Sequence, residues 1–174
     1  MSPLVSFVES IDSILKKLLI VLMALLLVDV SWQVLTRFVL PTPSSFTEEL
    51  ARFLLIWIGL LGSAQAYRHK MHLGVDILVK SMSTAKAAAI NKFVQIITIL
   101  FSASVLIYGG MKLVLLAYHL EQKSAAMQIN MGIVYLALPL SGILLGLFAF
   151  EKLVAPPDED ATSTTNSTDN VEGV

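Results

Sequence analysis

Four long apolar blocks divide this chain, and they constrain its fold more than any other feature. They run over about residues 18–40, 46–67, 90–118 and 131–154. A helix that crosses a bilayer needs about 20 mostly apolar residues, because each residue advances it by about 1.5 Å through a hydrocarbon core of about 30 Å. The sequence therefore predicts an all-α integral membrane protein, in which residues 18–154 form a domain of four transmembrane helices and the lipid bilayer supplies the burial.

Composition agrees with that class. Of the 174 residues, 56% are hydrophobic and 14% are charged, whereas a soluble domain carries about 25% charged residues. The chain contains no cysteine, which excludes disulfides, thiolate metal sites and cysteine nucleophiles.

The segments outside the four blocks have their own patterns. Residues 1–17 place apolar side chains at three- and four-residue spacing, and this predicts an amphipathic helix lying on the membrane surface. A similar pattern predicts an interfacial arm over about residues 72–84, in which His72 and Asp76 lie one helical turn apart and form a surface pair. Residues 155–174 are polar and acidic, and this predicts a disordered tail.

Basic residues indicate the orientation. Eight Lys and Arg residues fall on the side of the membrane that holds both termini, and four fall on the other side. Because basic residues are retained on the cytoplasmic side, both termini are predicted to be cytoplasmic.

Asp29 lies about halfway along the first span, with Gln33 one turn further on and Arg37 beyond it. A carboxylate at that depth is costly unless it is paired, protonated or in contact with water. One hypothesis is an ion or proton path. The other, which we favour, is a structural polar contact with another helix or subunit, because a relay needs more ionisable partners than these spans offer.

The short connection between the first two spans brings further charges to the outer face. Ser45 and Glu48 fit a capping box, which gives Glu48 a local role at the start of a helix. No such role explains Glu49, which is predicted to pair with Arg37 or with a basic group on a partner; Arg52 lies one turn further on.

Several residues are predicted to shape helix packing. A tryptophan deep inside the second span is expected to pack against a helix, small residues allow close helix approach, and a proline in the fourth span is expected to bend it. These residues are Trp57, Gly59, Gly62, Pro139, Gly142 and Gly146.

No chemistry is expected of this chain. His69 and His72 lie at the opposite side of the membrane from His119, so convergent haem or metal ligands are not expected, and neither is a membrane anchor for a redox enzyme. The sequence has no phosphate-binding loop or nucleophile elbow. It predicts neither an enzyme nor a cofactor, and no nucleic-acid partner.

The motifs taken together resemble those of the small membrane subunit of tripartite ATP-independent periplasmic (TRAP) transporters, the DctQ-like family. The resemblance covers about residues 10–154, although the family often has Pro where Asn130 stands. The matching motifs are Phe46-Thr-Glu48-Glu49-Leu-Ala-Arg52, Trp57-x-Gly59-x-x-Gly62, His72-Leu-Gly-Val-Asp76, Gln128-Ile-Asn130 and Tyr135-x-x-x-Pro139.

The resemblance implies a function for the whole chain. In such systems a periplasmic binding protein delivers an organic acid, commonly sialic acid or a C4-dicarboxylate, to a large membrane subunit that imports it with sodium. The small subunit is implied to be a scaffold for the large subunit in the bacterial inner membrane, without direct substrate binding. Its outer-face charges are implied to help receive the binding protein. The alternative is a self-contained homo-oligomeric transporter or channel with Asp29 lining its pathway.

Overall fold

The described residues of the computed structural model are 3–39, 45–69 and 84–154, with side chains described from residue 6 in the first range and from residue 89 in the last. The α-helices are α1 (Pro3–Val39), α2 (Ser45–Arg68), α3 (Thr84–Phe101), α4 (Gly110–His119), α5 (Met131–Tyr135) and α6 (Ala137–Val154). A π-helical segment, Ser102–Gly109, joins α3 to α4.

Within the described part, four helical stretches are long and apolar enough to cross a membrane. They confirm the predicted all-α membrane fold. The third span contains most of α3, the π-helical segment and α4, and the fourth span contains α5 and α6. The four spans are Ser6–Val39, Ser45–Arg68, Ala89–His119 and Met131–Val154.

The spans form a layer in the order first, second, fourth, third. α1 packs mainly on α2, α2 packs on α6, and α6 packs on α3 and the π-helical segment; in the described residues the first two spans make no helix contact with the third. The fourth span is therefore interior and the first and third spans are edges. Burial agrees, since 39% of the most apolar stretch of the fourth span is buried, against 6% for the first.

The two ends of the layer differ in what they contain. At the terminal end, where α1 begins and where α2 and α6 end, Val8, Leu15, Leu61, Ala64 and Phe148 form a buried apolar cluster. At the loop end, α1 ends, α2 begins and residues 120–130 connect the third and fourth spans.

α1 is one continuous helix of 37 residues, about 55 Å long. The boundary predicted at residue 17 is therefore not a break in the helix. Val8 and Leu15 pack against α2 and α6 in the apolar cluster. Phe7 and Ile14, which belong to the same run of apolar side chains at three- and four-residue spacing, are exposed. The packed face of α1 is thus rotated away from the centre of the predicted apolar side.

The third and fourth spans approach closely through glycines of the fourth. A Cβ atom added at Gly142 would lie 2.7 Å from the Cβ of Leu106, and one added at Gly146 would lie 3.2 Å from the Oγ of Ser102. The Ser102 hydroxyl also donates a hydrogen bond to the Gly142 carbonyl. The Gly142-x-x-x-Gly146 face is therefore an internal contact in this chain.

The fourth span is interrupted near Pro139. α5 ends at Tyr135, Leu136 follows, and α6 begins at Ala137. Pro139 has no N–H to donate to the carbonyl of Tyr135, and its ring crowds that carbonyl, so the helix cannot continue regularly through this point. The interruption lies where the sequence predicts a bend.

Two predicted segments lie outside the described residues. The first is the interfacial arm predicted over about residues 72–84, of which only Thr84, the first residue of α3, is described. His72 and Asp76 therefore lie outside the described residues. The predicted tail over 155–174 is the other.

Candidate functional site

Three polar residues of the first span face the helix layer, whereas Arg37 is exposed. Asp29 and Thr36 are buried and Gln33 is half-buried, on the same side of α1 as Val8 and Leu15. The Thr36 hydroxyl donates to the carbonyl of Gln33 at 3.0 Å. The Oδ2 atom of Asp29 has no hydrogen-bond partner among the described residues.

Charges at the loop end pair differently from the prediction. The Arg52 guanidinium lies 3.1 Å from a carboxylate oxygen of Glu48, one turn away on α2. Ser45 is the first residue of α2, and Glu48 has a local role near the start of this helix as the ion-pair partner of Arg52.

Glu49 binds backbone groups of the loop. Its two carboxylate oxygens accept hydrogen bonds from the N–H groups of Ala126 and Met127, each at 3.0 Å. No ion pair joins Glu49 to Arg37 among the described residues, so the predicted pairing with Arg37 is wrong. A carboxylate that accepts two N–H groups already has charge-assisted partners, and here it fastens the 120–130 loop to α2.

The loop that Glu49 holds is compact. Lys123 and Asn130 form an isolated antiparallel bridge, and Gln128 has a positive φ of 55°. Asn130 is the N-cap of α5, since its side-chain oxygen accepts a hydrogen bond from the N–H of Gly132 at 2.8 Å. Asparagine is a favoured N-cap residue. This role explains why asparagine is tolerated at position 130, where the DctQ-like family often has proline.

An open depression of about 400 Å³ lies between α2 and this loop. Its walls combine apolar side chains with basic and acidic groups. The residues that line it are Glu49, Arg52, Phe53, Ile56, Gln122, Lys123, Ser124, Ala125, Met131 and Tyr135.

A polar cluster at the terminal end is centred on Asp12, which is only 7% exposed. Its carboxylate oxygens lie 2.9 Å from the Lys16 ammonium, 2.9 Å from the Gln65 amide nitrogen and 3.3 Å from the Nε2 of His69. Arg68 is also near, with its Nε at 3.7 Å. Asp12 therefore joins α1 to the last turn of α2.

Arg68 extends this cluster to the fourth span. Its guanidinium donates to the carbonyl of Val8 at 2.7 Å, lies 3.5 Å from a carboxylate oxygen of Glu151 and stacks over the Phe148 ring at 5.2 Å. Lys152 donates to the carbonyl of Tyr67 at 2.5 Å. The terminal ends of three helices are thereby joined by polar contacts.

The burial of Asp12 does not follow from the amphipathic pattern of residues 1–17, which places this carboxylate on the polar side of the helix. The sequence nevertheless contains a signal for the cluster. Asp12 lies one turn from both Val8 and Leu15, so any face of α1 that buries those two residues brings Asp12 with it.

Small residues of the second span face open space. A Cβ atom added at Gly59 or Gly62 would meet nothing within 4 Å. Trp57 is half-buried and packs against the apolar cluster of the terminal end. The face of α2 that contains the two glycines is therefore uncovered by the described residues of this chain.

Among residues 3–39, 45–69 and 84–154, no group of three or more His, Asp or Glu side chains is placed to hold a metal ion. The polar groups of the two ends serve instead to join helices to one another and to a loop.

Comparison with known proteins gives consistent matches. A TRAP transporter small permease protein of Haemophilus influenzae is 27% identical over 150 residues, which cover 86% of this chain and 91% of the relative. The sialic acid TRAP transporter small permease protein SiaQ of Vibrio cholerae is 26% identical over 82% of this chain and 81% of its own length. The C4-dicarboxylate TRAP transporter small permease protein DctQ of Rhodobacter capsulatus is 29% identical over 58% of this chain and 44% of its own length.

The family match covers most of the helix layer. Residues 17–156 match the family described as tripartite ATP-independent periplasmic transporters, DctQ component. This range includes all of α2 to α6 and most of α1. The protein is therefore a multi-pass membrane protein of the DctQ family, a TRAP transporter small permease subunit and not an enzyme.

Proposed function

We propose that this chain is the scaffold subunit of a TRAP transporter, which fixes a large membrane subunit in the bilayer during sodium-coupled uptake of an organic acid. The observation that carries the proposal is the helix layer, which is one helix thick and leaves Gly59 and Gly62 of α2 uncovered. Small residues that face open space in a membrane helix permit close contact with another helix. A chain of this shape suits a supporting role better than a transport path of its own.

The class of substrate is proposed from the relatives. The small permease proteins that it matches include one named for sialic acid and one named for C4-dicarboxylate. Both are carboxylic acids, so an organic acid of one of these two types is the proposed cargo. We propose that a periplasmic binding protein delivers it and that the charged loop end, with both chain termini cytoplasmic, faces that protein.

The alternative is a homo-oligomeric transporter or channel whose path is lined by Asp29. Asp29 is 7% exposed and faces the layer of its own chain. A residue that lines a path between copies of a chain must instead be on an exposed surface. The burial of Asp29 therefore favours the scaffold subunit over a channel made of this chain alone.

Reconstitution tests the proposal. We expect the tagged chain to purify with a much larger membrane protein. We also expect sodium-driven uptake of an organic acid into liposomes to require this chain, the large protein and a soluble binding protein together. Liposomes that lack one of the three components are the controls. Uptake by this chain alone would support the channel alternative and contradict the scaffold role.

A further inference from the structure

The third span carries a charged residue on its exposed side. Lys112 of α4 is exposed, and its ammonium lies 4.6 Å from the centre of the Tyr108 ring, which is itself 62% exposed. No carboxylate of the described residues lies within ion-pair distance of Lys112. Among the described residues, the face of the Tyr108 ring is thus a contact of this charge.

Lys112 lies within the apolar part of the span. It precedes His119, the last residue of α4, by seven positions, which is about 10 Å along the helix. Between these two positions Leu113, Leu115 and Leu116 are exposed. The lysine is therefore separated from the loop end by almost two turns of apolar surface.

The direction of the side chain increases this separation. Side chains of a helix lean toward its N-terminus, and Tyr108 is one turn before Lys112, farther from the loop end. The ammonium therefore points toward the middle of the span and not toward the nearer membrane surface. A lysine that only reaches for lipid headgroups near a helix end points outward.

Arg52, which is also near the loop end, has a charged partner within this chain and so contrasts with Lys112. Arg52 is seven positions from the first residue of α2, and its exposed guanidinium is paired with Glu48 at 3.1 Å. The first span shows a second contrast. From residue 18 to residue 36 its single charged residue is Asp29, which is buried. The exposed surface of that edge, including Leu27 and Val28, carries no charge over this range. Its exposed Ser31 hydroxyl donates a hydrogen bond to the carbonyl of Leu27 at 2.7 Å, so this surface suits lipid.

We infer that the edge of the layer formed by the third span, around Tyr108 and Lys112, is covered by the large membrane subunit, which places a carboxylate or another hydrogen-bond acceptor on Lys112. Charge complementarity carries this assignment, because an ionised group within a membrane requires a partner. The edge formed by the first span faces lipid. The inference rests on the proposed function, since it names an edge at which the scaffold subunit contacts the large one.

Single cysteines test the assignment, since the natural chain has none. Val105→Cys and Leu115→Cys place a thiol on either side of the Tyr108–Lys112 pair, where both residues are exposed. Leu27→Cys and Val28→Cys are matched controls on the exposed surface of α1. Each variant, with Lys112 intact, is labelled with a benzophenone maleimide in native membranes and irradiated. We expect adducts with the large subunit from the third-span positions and none from the first-span positions.

Substitution of Lys112 provides the second measurement. Removing one partner of a desolvated charge pair has a large effect on affinity, so we expect Lys112→Glu to reduce the amount of co-purified large subunit by about tenfold or more. Lys112→Arg should retain most of it. Lys112→Met should show an intermediate or strong loss, in contrast with Leu27→Met on the other edge.

The outcomes separate this inference from the proposed function. If the unsubstituted chain purifies without any large membrane protein, the proposed function itself fails. If the complex forms but adducts arise from the first span, from both edges equally, or with lipid alone at all four positions, the assignment of the third span is overturned. Unchanged co-purification with Lys112→Glu would overturn the proposed acceptor.

Discussion

Asp12 is the residue whose environment differs most from its expected one. A carboxylate on an amphipathic helix is ordinarily a solvated group, yet Asp12 is buried and contacts Lys16, Gln65 and His69. Buried ionised groups need both charge partners and hydrogen bonds to offset the loss of water. These contacts supply both, and they attach the start of α1 to the end of α2.

Asp12→Asn should loosen that attachment. The substitution keeps the shape of the side chain and removes its charge, so the contacts with Lys16 and Arg68 lose their ionic partner. We expect the free energy of unfolding to fall by about 1–3 kcal/mol, measured by thermal unfolding of the purified protein in detergent.

Glu9→Gln is the control for this substitution, because Glu9 is an exposed carboxylate on the same helix. Glu9→Gln should change the free energy of unfolding by no more than about 0.5 kcal/mol. Equal unfolding midpoints for the two variants would show that the Asp12 cluster contributes nothing to stability.

At the scale of the elements, two pairs of small residues that look alike in the sequence have opposite environments. Gly142 and Gly146 lie against Leu106 and Ser102 of the third span, whereas Gly59 and Gly62 contact nothing at their Cβ positions. The spacing of the glycines indicates close helix approach in both cases. Only the arrangement of the helices decides which pair is used within the chain.

Gly142→Ala is therefore expected to destabilise the layer. The added methyl group would lie 2.7 Å from the Cβ of Leu106 and 3.2 Å from the backbone nitrogen of Ile107, and the backbone cannot move as a side chain can. Overpacking of this kind costs about 1–3 kcal/mol, again measured by thermal unfolding in detergent.

Gly59→Ala is the matched control on α2, where the same methyl group would meet open space. We expect it to be neutral or stabilising in the isolated chain, since alanine favours the helix over glycine by up to about 1 kcal/mol. A larger loss of stability from Gly59→Ala than from Gly142→Ala would contradict the packing described here.

The helices could be predicted from the sequence and several of their contacts could not. Span length and apolar content are local properties, so the four spans and the interruption near Pro139 were predictable. Glu49 was not, because its partners are the backbone N–H groups of Ala126 and Met127. Every residue type except proline offers a backbone N–H, so no side-chain pattern marks such a partner.

For the whole molecule, orientation in the membrane is the prediction that other conclusions depend on. The excess of Lys and Arg on the side of the termini predicts that the terminal end is cytoplasmic. Glu9→Cys and Ala125→Cys place single thiols at exposed positions of the terminal end and the loop end. A membrane-impermeant maleimide should label Ala125→Cys in intact spheroplasts and Glu9→Cys only after the membrane is permeabilised.

The unsubstituted chain is the control for background labelling, because it has no cysteine. Labelling of Glu9→Cys in intact spheroplasts, with protection of Ala125→Cys, would reverse the orientation. The loop end, with Glu48, Glu49 and Arg52, would then be unable to meet a periplasmic protein.

The order of the spans in the layer also determines how the protein is assembled during synthesis. Of the four spans, the one that lies between the second and the third is synthesised after the other three. The nascent chain therefore first inserts α1 and α2 and then a third span, which contacts neither of them among the described residues. Met131–Val154 joins these two parts. A chain that stops before Met131 would lack the helix that packs against both parts, and no helix contact among the described residues would then hold the third span beside the first two.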